Sequence, residues 1–567
     1  MTAIAAPPAR IREAASRDSA LATVHFRLMV LMLLVSGVVL LIVAKLIWMG
    51  VAAGPQRANV VSGGFVPARA DIVDRNGEPL ARTIDGWSIA IHPREVISDR
   101  RELAQKLAAL MPEHSAAWYW RALNSNRKFV YLRKRAMPEL VRQVNALGEP
   151  AVALGREPER LYPQGMMAAH VLGFVDNDSI GRSGLELTNN GRLTDAAQRG
   201  EPLMLAMDSR VQAALESELN AAMVKHSAAA ATGIVLDVHT GEVVALSSLP
   251  SYNPNVGPDA NGVRSNELNM ATQAVFELGS TFKPLTIANA IDQHVVTDIA
   301  RRYDARAALR VGGYRIRDDH PANRWLNVPE MLTLSSNIVT AQIAEQIGAA
   351  RMERYFRALG FYDKAAIELP NPRRPLTPHF WARTTVMTSG YGHGIAITPL
   401  HLANAYAALV NGGILRPATL LRRRAGQVPA GRRVIAPETS ALMRRLLRLI
   451  VTDGTGRRAD AAGMRVGGKT GTADKSSGGG YNRNARVSTF AAAFPMDDPK
   501  YVVVAMLDDP HGTADTGGFA TAGMVAAPIV GKVVARIGPL LGVYPDEARD
   551  VDLSDLRGMI WKPKAER

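Results

Sequence analysis

The sequence predicts an α+β protein in which one N-terminal helix crosses a membrane and is followed by a small module and then a large one. Three observations lead there. A single long uncharged apolar run lies near the N-terminus. Short β-like runs are joined through turn residues into hairpins, and between them stand segments with helical apolar spacing. The chain has 567 residues, enough for three or four units at roughly 150 residues each. Hydrophobic residues are 47% and charged residues 21%, so a sizeable core can be buried and a disordered class is excluded. Cysteine is absent, which excludes thiol nucleophiles, thiolate metal sites and a disulfide scaffold.

The anchor comes first in the chain. Leu28 to Ala44 is a run of 17 uncharged residues, and after Lys45 the stretch Leu46–Gln56 is again uncharged. A lysine near the end of a span can snorkel, so the apolar length reaches the ~20 residues a bilayer crossing needs. Arg10, Arg12, Arg17 and Arg27 precede the run against Glu13 and Asp18, which places the N-terminus in the cytoplasm and the remainder outside. Val51-Ala52-Ala53 resembles a signal-peptide cleavage site, but 17 apolar residues exceed the ~7–15 usual for such a signal, so a retained anchor is expected. No second run of this kind occurs, and a single crossing follows. The balance of 67 basic to 52 acidic residues gives +15, which suits anionic lipid, an acidic polymer or nucleic acid. No zinc-finger spacing, RNP-like motif or basic heptad region supports nucleic acid.

The small module begins beyond an extended tether over 57–69, flanked by Pro55, Gly63, Gly64 and Pro67. Val73 to Gly77 ends in Asn-Gly, a hairpin turn. Residues 100–125 and 137–147 have helical spacing, whereas 160–200, with Gly165, Gly173, Gly181, Gly184 and Gly191, reads as loops linking short strands. Val211 to His226 is a helix with Asp208 and Ser209 as capping candidates. Thr232–Leu236 and Glu242–Leu246 form a hairpin through His239-Thr240-Gly241.

Three short motifs carry the chemistry. Ser280-Thr281-Phe282-Lys283 is an S-x-x-K at a helix start, since Pro284 is tolerated only in a first turn. Three residues on a helix bring the Lys283 amine beside the Ser280 hydroxyl. A hydroxyl becomes a nucleophile when a neighbouring base takes its proton, and a lysine is such a base once burial or another cation has neutralised it. Alone the pattern is weak, because Ser125-Asn126-Arg127-Lys128 also matches. Ser335-Ser336-Asn337, an S-x-N, approaches a helical stretch over Ile338–Ile347; a second hydroxyl can relay a proton and the amide can hold a substrate amide. A plain N-cap has the same appearance, and Ser251-Tyr252-Asn253 matches too. Lys469-Thr470-Gly471-Thr472 follows the β-like Met464-Arg465-Val466, and a turn or strand edge is its simplest reading. Its lysine and threonines can bind a carboxylate, its glycine lets a ligand backbone lie close, and a strand N–H can complete an oxyanion hole with the nucleophile's own N–H.

The order decides. Ser280 to Ser335 spans 55 residues and Ser335 to Lys469 spans 134, and S-x-x-K, S-x-N and K-T-G in that sequence is the set of penicillin-binding proteins and serine β-lactamases.

With these motifs the chain resembles the class B penicillin-binding proteins, peptidoglycan D,D-transpeptidases held by one N-terminal helix. Arg69 to Gly77 resembles the opening motif of that family's pedestal, with Ala70 where glycine is usual. Arg160-Leu-Tyr-Pro163, Ala169 to Gly173 and Gly184-Leu185-Glu186 resemble later pedestal motifs. Glu277 to Lys283 is similar to the nucleophile segment, with Leu278 for the common proline, and Gly390-Tyr391-Gly392 and Thr398-Pro399-Leu400 also fit. The resemblance implies a cytoplasmic tail over 1–27, an anchor over 28–50, an elongated, dimerisation-like pedestal over 57–215, a penicillin-binding, serine β-lactamase-like transpeptidase domain over 216–545 with an antiparallel sheet flanked by helices, and a C-terminal tail over 546–567.

It also implies roles. Ser280 attacks the penultimate D-Ala carbonyl of a stem peptide, Lys283 takes its proton, Ser335 passes one to the leaving D-Ala, and Asn337 orients the donor. Lys469, Thr470, Gly471 and Thr472 form the substrate-binding strand, and β-lactams trap Ser280. Neither metal nor nucleotide cofactor is required. The implied location is the bacterial inner membrane, single-pass, with the catalytic domain periplasmic. The substrates are stem peptides of lipid-linked precursor and nascent strands. The lack of glycosyltransferase motifs disfavours a bifunctional class A protein, and size points to the division-specific, FtsI-type branch over the elongation branch, with division-machinery membrane proteins, including a polytopic glycosyltransferase, as partners. The other readings are a β-lactamase using Glu368, a D,D-carboxypeptidase, or a non-catalytic scaffold or β-lactam sensor.

Overall fold

The computed structural model describes residues 26–41, 45, 68–176, 178–257, 265–424, 426–477 and 480–561. Met1–Val66 and Pro67–Arg567 are separate compact units. In the first, Phe26–Leu41 is an apolar helix with Leu31, Leu33, Leu34, Leu40 and Leu41 all exposed. The N-terminal tail before Phe26, most of the expected anchor beyond Leu41, the cleavage-like Val51-Ala52-Ala53, tether residues 57–67 and residues 562–567 lie outside the described residues.

In the second unit, Ile72–Val73 and Pro79–Ile91 form the hairpin that Asn76-Gly77 predicts. Asp74 closes it by accepting the backbone N–H of Asn76 at 2.8 Å and of Glu78 at 2.9 Å. Val152–Leu161 and Val130–Ala136 pair with the long strand, and Leu203–Met204 runs parallel to Ile72–Val73. Helices Arg100–Leu110, Ala116–Leu123 and Pro138–Asn145 realise the spacing read in 100–125 and 137–147. They bury Leu103, Leu107, Tyr119, Leu123, Val141 and Val144 against Ile89 and Ile91 in a core of their own. The inner half is different: Ile72, Leu80, Leu172, Leu185 and Leu203 belong to the core of the large module.

The glycine-rich stretch 160–200 departs from its reading as loops between strands. It holds short helices at Ala169–Leu172, Gly184–Thr188 and Asn190–Thr194. The glycines serve backbone-on-backbone packing: a Cβ on Gly184 would stand 2.4 Å from Gly173 N. Three of the motifs quoted above converge here on one carboxylate. Glu186, fully buried, accepts Arg69 Nε at 2.6 Å, Arg160 Nε at 2.7 Å and Tyr162 OH at 3.3 Å.

The large module is built on an antiparallel sheet ordered Gly467–Ser477, Gly480–Phe494, Tyr501–Asp508, Ala230–Asp237, Val243–Leu249. Both faces are covered, and the two-residue period of a strand divides the side chains between them. Ile234, Leu236, Val502, Val504 and Met506 face one core with Leu285, Leu400 and Leu447. Val235, Val503, Ala505 and Leu507 face the other, with Leu215 and Leu219 of helix Ser209–Lys225 and Val530 and Val534 of helix Ala527–Leu540. Asp208 caps Ser209–Lys225, and the boundary expected between 215 and 216 falls inside this one helix. The stretch Ala522–Leu540 is long and apolar enough to cross a membrane, but it is half buried as a core helix of this sheet. The segment expected as a tail contains helix Ser554–Met559 and buries Leu553 and Leu556 in the main core.

Candidate active site

Gly279–Phe282 is a 3₁₀ turn that runs directly into helix Lys283–Asp292, with Pro284 in its first turn. Ser280 is half-buried at the turn, and the fully buried Tyr406 donates its hydroxyl to the Thr281 carbonyl at 2.8 Å, fixing the turn from beneath. Lys283 points into the protein and is completely buried. Its Nζ donates to Ser335 Oγ at 3.1 Å and to the Ser335 carbonyl. Burial lowers the lysine pKa to about 7, against the weaker opposing pull of Asp318 and Asp319. Ser280 Oγ has no hydrogen-bond partner among the described residues.

Ser335 closes helix Val328–Leu334 in the left-handed conformation, φ +61°. An L-residue rarely adopts this, and it persists only where the surroundings over-determine it. The next helix, Asn337–Ile347, starts at once, capped by Ser336. Asp318 holds this junction by accepting Ser336 Oγ at 2.7 Å and Ile338 N at 3.0 Å, while Asn337 donates to the Arg317 carbonyl at 2.9 Å.

Lys469 to Thr472 lie on the edge strand Gly467–Ser477. Lys469 is as buried as Lys283, and its Nζ donates to the same Ser335 Oγ at 2.9 Å and to Thr470 Oγ1 at 3.1 Å. Burial, with the Lys283 charge added, pushes Lys469 well below the usual lysine range. Among the described residues neither lysine touches a carboxylate. Thr470 Oγ1 also meets Thr455 Oγ1 at 3.0 Å, and Thr472 Oγ1 accepts Ala522 N at 3.0 Å. The space in front of Gly471 is taken by the chain itself: a Cβ there would stand 2.2 Å from the Leu278 carbonyl oxygen. Gly279 (φ +53°) makes the reciprocal approach, its Cβ position 2.8 Å from the Thr472 carbonyl. The two glycines therefore let the nucleophile turn lie directly on the strand. Beyond them a cavity of about 320 Å³ opens between Phe276, Glu277, Leu376, Thr377 and Asp474.

Lys283, Ser335, Lys469 and Thr470 are thus drawn together, with Ser280 on the turn that lies against the strand, Gly471 and Thr472 on the same strand and Asn337 two residues past Ser335; the Lys283 amine bonds Ser335 and makes no hydrogen bond to the Ser280 hydroxyl that the three-residue spacing sets beside it. The look-alike patterns are elsewhere. Ser125 sits in the outer half of the small module, its hydroxyl accepting Arg127 N, and Ser251 donates to the Met166 carbonyl. Glu368 is occupied by Thr419 Oγ1 at 2.6 Å and Leu420 N at 2.8 Å. Sequence reasoning missed Asp318, Tyr406 and Thr455, which lie in no motif; their roles arise from contacts across 15 to 125 residues of chain.

The chain is similar to known proteins. The family profile "Penicillin binding protein transpeptidase domain" matches residues 231–534, and "Penicillin-binding Protein dimerisation domain" matches residues 65–199. The chain is 39% identical over 507 residues to a protein of Caulobacter vibrioides named "Probable peptidoglycan D,D-transpeptidase FtsI", covering 88% of this chain and 85% of the relative. It is 30% identical over 519 residues to "Probable peptidoglycan D,D-transpeptidase PenA" of Neisseria gonorrhoeae, covering 86% and 87%. The crystal structure of penicillin binding protein 3 of Mycobacterium tuberculosis, complexed with aztreonam, superposes with a TM-score of 0.67 at 23% identity, covering 85% of this chain and 97% of that one, and shares the fold. With both domains matched in this order and a relative so similar along most of its length, the protein belongs to the class B penicillin-binding proteins, the family of serine-type peptidoglycan D,D-transpeptidases.

Proposed function

We propose that this protein cross-links peptidoglycan stem peptides in septal wall synthesis, through an ester on Ser280. The observation that carries the chemistry is the pair of buried lysines meeting on one serine hydroxyl without a carboxylate between them. A lysine with a pKa of about 7 is half neutral at that pH, so Lys283 can act as a base.

In this reading Ser280 Oγ attacks the carbonyl of the penultimate D-Ala while Lys283 Nζ takes the hydroxyl proton. The N–H groups of Ser280 and of the edge strand hold the oxyanion. Collapse breaks the peptide C–N bond. Ser335 gives its proton to the departing D-Ala nitrogen and is resupplied by the Lys283 ammonium. Lys469, Thr470 and Thr472 hold the terminal carboxylate, Asn337 orients the donor amide, and Gly471 keeps the strand close to the ester. An amine of a second stem then attacks the ester, a new amide forms, the amine's proton returns through Lys283 and Ser335, and Ser280 is free again. A β-lactam follows the first half only, because its opened ring stays attached and blocks the amine. Glu368, both of whose oxygens are engaged at the joint with the small module, is not placed to activate water, which speaks against a β-lactamase.

The exposed leucines of Phe26–Leu41 suit a lipid surround, and the arginines before it suit a cytoplasmic N-terminus, with the rest in the periplasm at the inner membrane. The name of the 39% identical relative supports the division branch, with membrane proteins of the division machinery, a polytopic glycosyltransferase among them, as partners. We place the start of the transpeptidase domain at Asp208, the cap of its first helix.

Labelling with a fluorescent penicillin, followed for hours after a chase, tests the reading on wild type, Ser280→Ala and Ser125→Ala. Loss of label only in Ser280→Ala, with slow release from wild type, is expected. Rapid release would indicate a hydrolase, and no labelling of wild type would favour a scaffold.

A further inference from the structure

The last described segment, Asp550–Trp561, touches two helices whose C-terminal ends both reach the active site. On one side it meets the helix that ends in Ser335. Asn327, the N-cap of Val328–Leu334, donates its side-chain amide to the Met559 carbonyl at 2.9 Å, and Trp561 N donates to Glu330 Oε1 at 2.8 Å. Glu330 is fully buried and also accepts Arg324 Nη1 at 2.8 Å, Arg302 Nη1 at 3.1 Å and Asn327 N at 3.0 Å. Four donors on one buried carboxylate fix the first turn of this helix. On the other side the segment meets helix Pro437–Asp453. Arg445 Nε donates to the Asp552 carbonyl at 2.8 Å, Arg448 Nε to Asp550 at 2.9 Å, and Arg557 Nε to Asp453 at 3.0 Å. Directly after Asp453, Thr455 N donates to the Thr333 carbonyl at 3.3 Å, and Thr455 Oγ1 meets Thr470. Leu553 and Leu556 fill the space between.

We propose that Asp550–Trp561 is a strap that sets Ser335 against Lys469 and Thr470, with Asn327 and Glu330 as positioning residues. The inference rests on the transpeptidase reading above. Ser335 is held in a left-handed conformation by its surroundings, and the strap fixes both helices that define those surroundings. Loosening it lets Ser335 relax, and the hydrogen bonds of both lysines are lost together. Stability elsewhere depends on cores the strap does not enter, such as the one under Val530 and Val534.

Asn327→Asp is the discriminating variant, since aspartate caps a helix as well as asparagine but cannot donate to Met559. It is compared with a chain ending at Arg549, a chain ending at Trp561, and wild type. Unfolding midpoint, the saturating rate of penicillin acylation, and non-covalent affinity from the concentration dependence are measured. The expected result is wild-type behaviour for the chain ending at Trp561. For Asn327→Asp a folded protein is expected with acylation slowed at least about tenfold and affinity changed little, as displaced reacting groups require. The acylation pH profile should move in the same variant, because the partners of Lys283 have changed. Wild-type acylation at Ser280 combined with unchanged acylation in Asn327→Asp overturns the strap while leaving the transpeptidase reading intact. A fall only in proportion to unfolded protein overturns it as well. Absence of Ser280 labelling in wild type overturns the reading beneath it.

Discussion

Two places in this molecule bury a pair of cations, and they do so in opposite ways. In the small module Arg69 and Arg160 are 2% exposed and share Glu186, which is not exposed at all. Each arginine is further satisfied: Arg69 by the Glu186 carbonyl at 2.7 Å and Asn190 at 2.8 Å, Arg160 by the Ala70 carbonyl at 2.8 Å. At the active site Lys283 and Lys469 are equally buried but share a neutral hydroxyl. An arginine stays charged at any working pH, so burying one demands a carboxylate; a lysine can shed its proton instead. The first centre therefore keeps its charges paired, and the second favours the neutral form of its lysines. Only 13 of the 67 basic residues are lysine, and two of those 13 are the fully buried pair.

Removing a charge from each centre should affect rate at one and stability at the other. Lys283→Ala is expected to slow acylation of Ser280 by about 10³–10⁴-fold, with an unfolding midpoint unchanged or higher, because a desolvated lysine has gone. Rate and midpoint measured on the same preparation check it; a lower midpoint with little loss of rate would make Lys283 structural. Glu186→Ala should do the reverse. Two buried arginines lose their partner, at a cost of about 3–5 kcal/mol in chemical unfolding, while acylation per folded molecule stays near wild type.

The pH response sharpens the contrast. Lys283 must be neutral to take the Ser280 proton, and its pKa is lowered to about 7. Acylation should rise about tenfold per pH unit below that value and level off above it. Asp318 favours the charged lysine, so in Asp318→Asn the rising limb should move to lower pH. A limb near the ordinary lysine range would show that Lys283 is not desolvated when it reacts. The smallest effect belongs to Arg69→Lys, which keeps the charge but cannot reproduce the fork to Glu186, Asn190 and Ser179. A loss of about 1–3 kcal/mol in stability is expected, without change in the acylation pH profile.

Much of this is legible in the sequence. The motif order, the hairpin at Asn76-Gly77 and the helix after Asp208 follow from local chemistry, whereas the helix expected to start at Ser280 starts at Lys283, after a 3₁₀ turn over Gly279–Phe282. Gly184 and Gly173 show the limit: glycine marks a special backbone, but not whether that backbone is a loop between strands or a turn packed on another turn. Gly471 shows it again, since the partner that demands its small size is Leu278 of the same chain. Glu330 and Thr455 could not be picked out, because nothing beside them in the sequence distinguishes them from ordinary capping and loop residues.

Local sequence already places Ser280 and Lys283 side by side in the chain, since a serine three residues before a lysine at a helix start keeps both on one turn wherever that helix goes. The carboxylate at the centre of the small module was not legible there, because Arg69, Arg160 and Glu186 stand in three separate motifs that only folding brings together. The sequence could not separate Ser280 from Ser125 by their spacing to lysine, which is the same. The motif order separates them, and the fold adds a physical difference by burying Lys283 and bringing Ser335 and Lys469 to it from 52 and 186 residues away. Desolvation is the cause: the whole fold removes water from Lys283, and Asp318 and Asp319, which do not touch it, offset only part of that loss.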